Sequence, residues 1–428
     1  MPTYELIVYG CQMNDYDGEV IAAVLEGAGY RPASGGVPDV TVVYTCAVRQ
    51  SATDRALGRI TALAVRKKEK PDATVVVGGC WSALQGDLIK KLCPHVAFTF
   101  GTDALADLPA LLAAARGEPP PAAAGFHPPL RRRWPRANVS IMSGCNNYCA
   151  YCVVPYARGP ERCRPAAEVE AEVDALVARG FGDITLIGQN VNSYRAGGVS
   201  FAELLRRVDR RCDGVFLRFT TNHPRDFTGE VTAAAAEARN VARHVHLPLQ
   251  SGSDRVLAAM NRGYDLEHYK NVVAGLRRAV ADVCLTTDLL VGFPGETRDD
   301  FELTLAAVED IRFDSAYTFF YSARPGTAAA ALAETLSRSE KVERLEVLAR
   351  RQREISYELN RRLIGQERLA LVEGASARDA GEFAGRISEN KVVNFGGDAE
   401  VGGWKRVAVT GASAWALRGE TVGSGSEA

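Results

Sequence analysis

The run GCNNYCAYC, residues 144–152, follows the β-rich stretch VSIM at 139–142, and its reading decides how the rest of the chain is divided. It sets thiols at Cys145, Cys149 and Cys152. A CxxxCxxC loop is short enough to wrap three thiolates around one cuboidal iron-sulfur cluster. Protein cubanes usually take four cysteines, one per iron, so three leave one iron without a protein ligand. An open coordination position marks a catalytic metal rather than a structural one. A zinc site or metal-free thiols are the competing readings, and the spacing with its flanking βα pattern suits them less well.

Downstream of this loop, the stretches DITLIG, VFLRFT, RHVHL, VCLTTDLLVG and SAYTFFY alternate with helical segments such as FAELLRRVDRRC and DDFELTLAAVEDI. With VSIM they make six βα units, which predicts an open or partial (β/α)6 barrel over residues 137–364. The long charged segment SRSEKVERLEVLARRQREISYELNRRLIG ends that domain. After Gly365, RLALVEG, KVVNFGG and RVAVTGASAWALRGE carry short strands and glycine turns, the pattern of a small all-β barrel over 365–422. The tail GSGSEA, 423–428, is expected to be disordered.

Upstream, YELIVYG, VTVVYTC and ATVVVGGC each precede a helical stretch. This predicts a doubly wound parallel α/β domain over residues 1–116, with ligands at the carboxyl ends of its strands. Cys11, Cys46 and Cys80 each fall just past one of the three strands and should converge on one rim. Buried structural cysteine accounts for any one of them, but less readily for three at equivalent positions. Cys93, Cys163, Cys212 and Cys284 share no spacing and read as packing residues. The Pro- and Ala-rich stretch 117–136 reads as a linker, with Arg131, Arg132, Arg133 and Arg136 around Trp134 as a solvated basic run.

Ten cysteines in a 428-residue chain that opens without a secretory pattern point to reduced thiols and a cytoplasmic setting, and no apolar run is long enough to span a membrane. A net charge of -1 excludes a globally basic nucleic-acid binder, so any RNA must be held by local patches.

The central motif, with an aromatic residue, Tyr151, before its last cysteine, resembles the signature of the radical-SAM superfamily. The resemblance implies that the open iron chelates S-adenosylmethionine and that one electron cleaves it to a 5'-deoxyadenosyl radical. Turn residues at later strand ends are then candidates for cofactor contact: Gly188, Gln189 and Asn190 in LIGQNVNSY, Gln250, Ser251 and Gly252 in HLPLQSGSD, and Asp288, Gly292 and Phe293 in TDLLVGFPGET. With Cys11, Cys46 and Cys80 added, the whole chain is similar to the radical-SAM methylthiotransferases, whose first domain carries a second 4Fe-4S cluster and whose last is an RNA-binding TRAM barrel.

GCQMN, PYARGPERCRP, GQNVNSY, HLPLQSGSDRVLAAMNRGY and ENKVVNF resemble the bacterial branch acting on N6-isopentenyladenosine 37 of tRNA. That resemblance implies a methylthio group installed at C2, two 4Fe-4S clusters, a reducing donor such as flavodoxin or ferredoxin, a sulfur source, and a monomer. Arg158, Arg162, Arg164, Arg324, Lys391 and Phe395 are the candidate RNA contacts. The last domain has seven Lys or Arg against eight Asp or Glu, so its RNA role rests on resemblance. Tyr44 and Gln50 stand where the family pattern has Asn and Glu, GGCWSALQ departs from the usual GCxAQ, and Cys163 replaces a serine. A methylthiotransferase acting on threonylcarbamoyladenosine 37 or on a ribosomal-protein aspartate is the nearest alternative. A non-catalytic iron-sulfur RNA-binding or redox-sensing protein is the alternative of another class.

Overall fold

The computed structural model describes residues 1–48, 50–119, 128–379 and 381–422, which form two compact units. The first comprises Met1–Arg132, Ser143–Asn146 and Cys152–Arg162, and the second Arg133–Met142, Asn147–Tyr151 and the chain from Cys163 onward. The expected tail at 423–428, and 120–127 of the expected linker, lie outside the described residues.

In the first unit five parallel strands, β1 (Thr3–Val8), β2 (Arg31–Pro32), β3 (Val40–Thr45), β4 (Thr74–Gly79) and β5 (Val96–Phe100), run in the order β2-β1-β3-β4-β5. Val42, Tyr44 and Val76 pack with the helices Gln12–Gly27 and Leu108–Arg116. Val43, Val75 and Val77 pack on the other face with Gln50–Ala62 and Cys80–Leu92. Burial on both faces is why these strands read as unbroken apolar runs. Strand order reverses direction at β1 and β3, so the crevice at their carboxyl ends is where such a sheet places a site.

The second unit holds six parallel strands, β6 (Arg136–Ser140), β7 (Asp183–Ile187), β8 (Phe216–Phe219), β9 (His244–His246), β10 (Cys284–Val291) and β11 (Ser315–Phe320). They form two three-stranded sheets linked by a parallel bridge between Leu217 and Val241, the open (β/α)6 barrel expected. Side chains alternate across these strands. Val139, Ile184, Leu186, Leu217, Phe219, Val245, Leu285 and Leu289 join the helices in one core. Asp183, Arg218, His246, Thr286, Asp288 and Tyr317 fall on the inner face, where they meet one another.

The chain ends in a closed five-stranded barrel of β12 (Glu367–Ala375), β13 (Phe383–Ile387), β14 (Val392–Gly396), β15 (Trp404–Ala412) and β16 (Leu417–Thr421), around Ala370, Val372, Ile387, Val393, Phe395 and Val407. It docks on the amino-terminal ends of the inner strands. Arg218, paired with Asp183 at 2.6 Å, also donates to the carbonyls of Ile387 and Ser388, both at 2.9 Å. Lys391 pairs with Asp314 at 2.7 Å, and Arg136 with Glu373 at 3.2 Å. Among the described residues no helix is long and apolar enough to cross a membrane.

In the described part of the basic run Arg132, Arg133 and Trp134 are exposed, but several of its side chains have defined partners. Arg131 is buried against Glu19 at 2.8 Å, Arg132 reaches the Tyr4 hydroxyl, and Trp134 donates to the Val401 carbonyl and meets Phe181 edge-on.

Candidate functional site: two cysteine sets and a polar barrel rim

In the first unit the sequence supplies a glycine before each of two rim cysteines. Gly10 has φ +141° and a Cβ there would lie 2.7 Å from the Cys46 Cβ; Gly79 has φ +101° and a Cβ would lie 2.4 Å from the Thr45 carbonyl oxygen. Only glycine lets the backbone turn that close to β3. Cys11, Cys46 and Cys80 follow β1, β3 and β4 and interact with one another. A hydrogen bond with Cys46, then burial, pushes the Cys11 thiol well up, and Cys80 feels the charge of Cys11. Cys46 Sγ accepts from the Val48 backbone N–H at 3.3 Å.

Beside them lies a buried cation. Arg158 donates to Asp17 at 2.6 Å and to Asn14 at 3.3 Å, and its charge opposes the burial that raises Cys80. Tyr44, at the unusual position before Thr45 and Cys46, is fully buried and donates to the same Asp17 carboxylate at 2.9 Å. The tyrosine thus has a defined partner in this chain. Gln50 donates to Asp54 one turn along its own helix, at 2.7 Å.

Cys145 and Cys149 are buried and Cys152 half-buried. Within the second unit, residues 147–151 are held by the turn after the helix Asp254–Ala259: the Ala150 N–H donates to the Met260 carbonyl, and Asn261 donates to the carbonyls of Asn147 and Tyr148. Arg262 fills the gap beneath. It is 5% exposed, donates to Cys149 Sγ at 3.3 Å, and otherwise meets the hydroxyls of Tyr151 and Tyr264 and the Pro248 carbonyl. Among the described residues no carboxylate pairs with it. A buried guanidinium is stable only against a counter-charge, and here the sulfur is the candidate anion. An anionic thiolate-bound cluster at Cys149 fits that environment. Among the described residues, no three His, Cys, Asp or Glu side chains are already closed around a single ion position.

Where β7 and β8 end, buried polar atoms gather that have no hydrogen-bond partner among the described residues: Gln189 Oε1, Asn190 Oδ1, Asn192 Nδ2, Asn222 Oδ1 and both ring nitrogens of His223. Buried polar groups are ordinarily satisfied, so this rim fits a polar ligand such as an amino-acid and nucleoside cofactor. It connects to the cysteine loop through Asn190 to Asp226, Asp226 to Arg225, and Arg225 to Asn147. Burial, with Arg262 and Arg225 adding to it, pushes the His223 imidazole down to about 2. Asn192, Asn222, His223 and Arg262 were not singled out from sequence. The one available signal was TNHP directly after VFLRFT.

Other expected cofactor contacts are used by the protein itself. Ser251 is fully buried on Thr304, and Phe293 is a core residue edge-on to Tyr321. The space beside Gly188, Gly252 and Gly292 is taken by Met142, Leu303 and Lys341. Gln250 is buried and its backbone pairs with Asp288 and Leu290, while Asp288 faces the inner wall near His246.

Four of the six expected RNA contacts are engaged within the protein itself. Arg158 is buried as described. Arg164 binds the Ser140 carbonyl at 2.7 Å and Glu172 at 2.6 Å. Lys391 is committed to Asp314 and Asn360, and Phe395 is fully buried, stacked on Phe383. Arg162 is exposed and Arg324 half-exposed. Of the remaining thiols, Cys93, Cys212 and Cys284 are buried, and burial lifts Cys212 to about 12.

Three family models match the chain: the Radical SAM superfamily over residues 139–308, the uncharacterized protein family UPF0004 over 3–101 and the TRAM domain over 361–422. A relative from Moorella thermoacetica is 42% identical over 98% of this chain and 98% of its own; one from Pseudomonas aeruginosa is 39% identical over 97% of each. Both are named tRNA-2-methylthio-N(6)-dimethylallyladenosine synthase. Among solved structures, the radical S-adenosylmethionine methyltransferase TsrM from Kitasatospora setae superposes with a TM-score of 0.60 at 17% identity, covering 77% of this chain and 74% of its own. At that identity the likeness concerns the fold.

Proposed function

This chain belongs to the tRNA-2-methylthio-N(6)-dimethylallyladenosine synthase family of radical-SAM methylthiotransferases, and on that premise we propose that it installs a methylthio group at C2 of N6-isopentenyladenosine 37 in tRNA. The observation that carries the reading is the gathering of Cys11, Cys46 and Cys80 at three strand ends, in a chain that also has Cys145, Cys149 and Cys152. A radical generator needs only the second set. When loaded, the two sets would supply reductive cleavage of S-adenosylmethionine and the sulfur chemistry of insertion.

The protein's own residues do the rest. Arg262 donates to the Cys149 sulfur in a buried setting, and Arg158 with Asp17 and Tyr44 fixes the surroundings of the first three thiols. Gln189, Asn190, Asn192 and His223 offer unspent hydrogen bonds to the cofactor, and the neutral imidazole avoids adding a cation beside its sulfonium. Arg162, exposed in the first unit, is the candidate for contact with an RNA phosphate. The reading implies a cytoplasmic monomer that draws electrons from a flavodoxin- or ferredoxin-like donor and sulfur from a separate source.

Anaerobic reconstitution with iron, sulfide, dithionite and S-adenosylmethionine tests it, on an anticodon stem-loop carrying N6-isopentenyladenosine at position 37. Mass spectrometry should find the 2-methylthio nucleoside. Product only on a threonylcarbamoyladenosine stem-loop or a ribosomal-protein aspartate would overturn the substrate, and absence of 5'-deoxyadenosine would overturn the enzyme class.

A further inference from the structure

The register of β9–β11 sets His246 opposite Thr286, Asp288 opposite Tyr317 and Leu290 opposite Phe319, all on the inner face. Their neighbours Ala316 and Phe320 turn the other way, into the core. Tyr317 is 56% exposed and Phe319 37% exposed. Two large rings left open side by side on an inner sheet face are a costly arrangement for a monomeric domain, and a flat ligand would relieve it.

The polar groups beside the rings narrow the choice. His246 Nδ1 meets the Thr286 hydroxyl at 3.0 Å, its Nε2 lies 3.6 Å from Asp288 Oδ1, and its ring is edge-on to Tyr317. Asn222 donates its amide to the His246 carbonyl at 2.8 Å, which orients Oδ1 as an acceptor; that atom is buried and has no hydrogen-bond partner among the described residues. The wall therefore offers two aromatic faces and two acceptors. It suits a planar group that presents an N–H, and the Asp288 carboxylate turns phosphate away.

We propose that this wall, with Tyr317 as the stacking ring, seats the N6-substituted adenine of the tRNA. The inference rests on the substrate reading above and adds where the base sits. A secondary N6 amine has one N–H, for which the Asp288 carboxylate is the acceptor, and the exposed Phe319 ring gives apolar surface for the alkyl substituent. An extruded base is commonly read this way, by stacking and by hydrogen bonds to its edge.

The test compares Tyr317→Leu and Tyr317→Phe as reconstituted holoenzymes, using the isopentenylated stem-loop and its unmodified adenosine counterpart. Stacking on an aromatic is worth enough that Tyr317→Leu should weaken binding of the isopentenylated stem-loop about tenfold or more and erase its advantage over the unmodified one, with Tyr317→Phe within about twofold of wild type. S-adenosylmethionine affinity, by equilibrium dialysis, should stay within about twofold of wild type in both, as expected if Tyr317 stacks the RNA base rather than the cofactor. A fall in S-adenosylmethionine affinity would make the wall the cofactor's seat and overturn the proposal. Equal stem-loop affinity in Tyr317→Leu and wild type, or no preference for the isopentenylated RNA in wild type, would also overturn it. Failure of wild type to form product, with that binding preference intact, would instead count against the proposed reaction alone.

Discussion

Replacing Arg158 with Met separates a buried structural cation from an RNA contact. The Arg158 side chain is 4% exposed and that of Asp17 8% exposed, and they meet at 2.6 Å. Truncation would leave the Asp17 carboxylate buried with the Tyr44 hydroxyl at 2.9 Å, and stranding one partner of such a pair costs about 3–5 kcal/mol. Asp17→Asn strands the guanidinium instead. The double variant strands neither charge and should recover most of that cost, giving a coupling of about 2–4 kcal/mol. Hydrogen exchange of the iron-free chain reports the first unit alone: amides of β3 and β4 should lose about a hundredfold to several-thousandfold protection in Arg158→Met, and regain most of it in the double variant. A loss below about tenfold, or a double variant worse than either single one, would refute the reasoning. So would weakened stem-loop binding with protection unchanged.

Ala at Cys11, Cys46 or Cys80 should lower iron and labile sulfide from about eight to about four per chain while 5'-deoxyadenosine still forms; Ala at Cys145, Cys149 or Cys152 should lower them similarly and abolish it. Colorimetric iron assay and chromatography check both. His223 gives a pH signature. Its imidazole stays neutral down to about 2 in the fold, while the unfolded chain binds a proton below about 6.5. Its contribution is therefore complete above about pH 6.5 and lost as pH falls, by about 2 kcal/mol at pH 5; denaturation midpoints of His223→Gln should fall less between pH 7.5 and 5 than those of wild type. Arg218→Met strands Asp183, which is fully buried with Arg136 as its next cation at 3.9 Å, and drops two barrel carbonyl bonds. A cost of about 3–5 kcal/mol should show as faster protease cleavage near Gly365 than in wild type.

The strands of both α/β parts were legible because burial on one or two faces imposes a readable pattern. The two exceptions are instructive. β2 is two residues long and includes Pro32, and β5, VAFTF, is five residues long with an irregular burial pattern that does not stand out beside its helices. The cysteines were legible because their chemistry depends on residue type and spacing alone. The arginines were not, because burial depends on partners far along the chain: Arg158 finds Asp17 141 residues away, and Lys391 finds Asp314 77 away. The glycines at 188, 252 and 292 are ambiguous for a related reason. Each makes room for something, but sequence does not say whether a ligand or the protein's own Met142, Leu303 or Lys341 takes it. Arg262 stayed hidden because nothing local in MNRGY announces a sulfur neighbour at Cys149.

The floor contacts of the C-terminal barrel have a metric consequence. With Arg218, Lys391 and Arg136 anchoring it to three different parts of the inner strands, the barrel cannot swing like a tethered arm. An RNA held by it is gauged from a fixed origin, so the nucleotide that reaches Tyr317 is chosen by its distance along the anticodon arm as well as by its chemistry. Lengthening or shortening that arm by one base pair should therefore move the modified position, or abolish modification, even when the target base is unaltered.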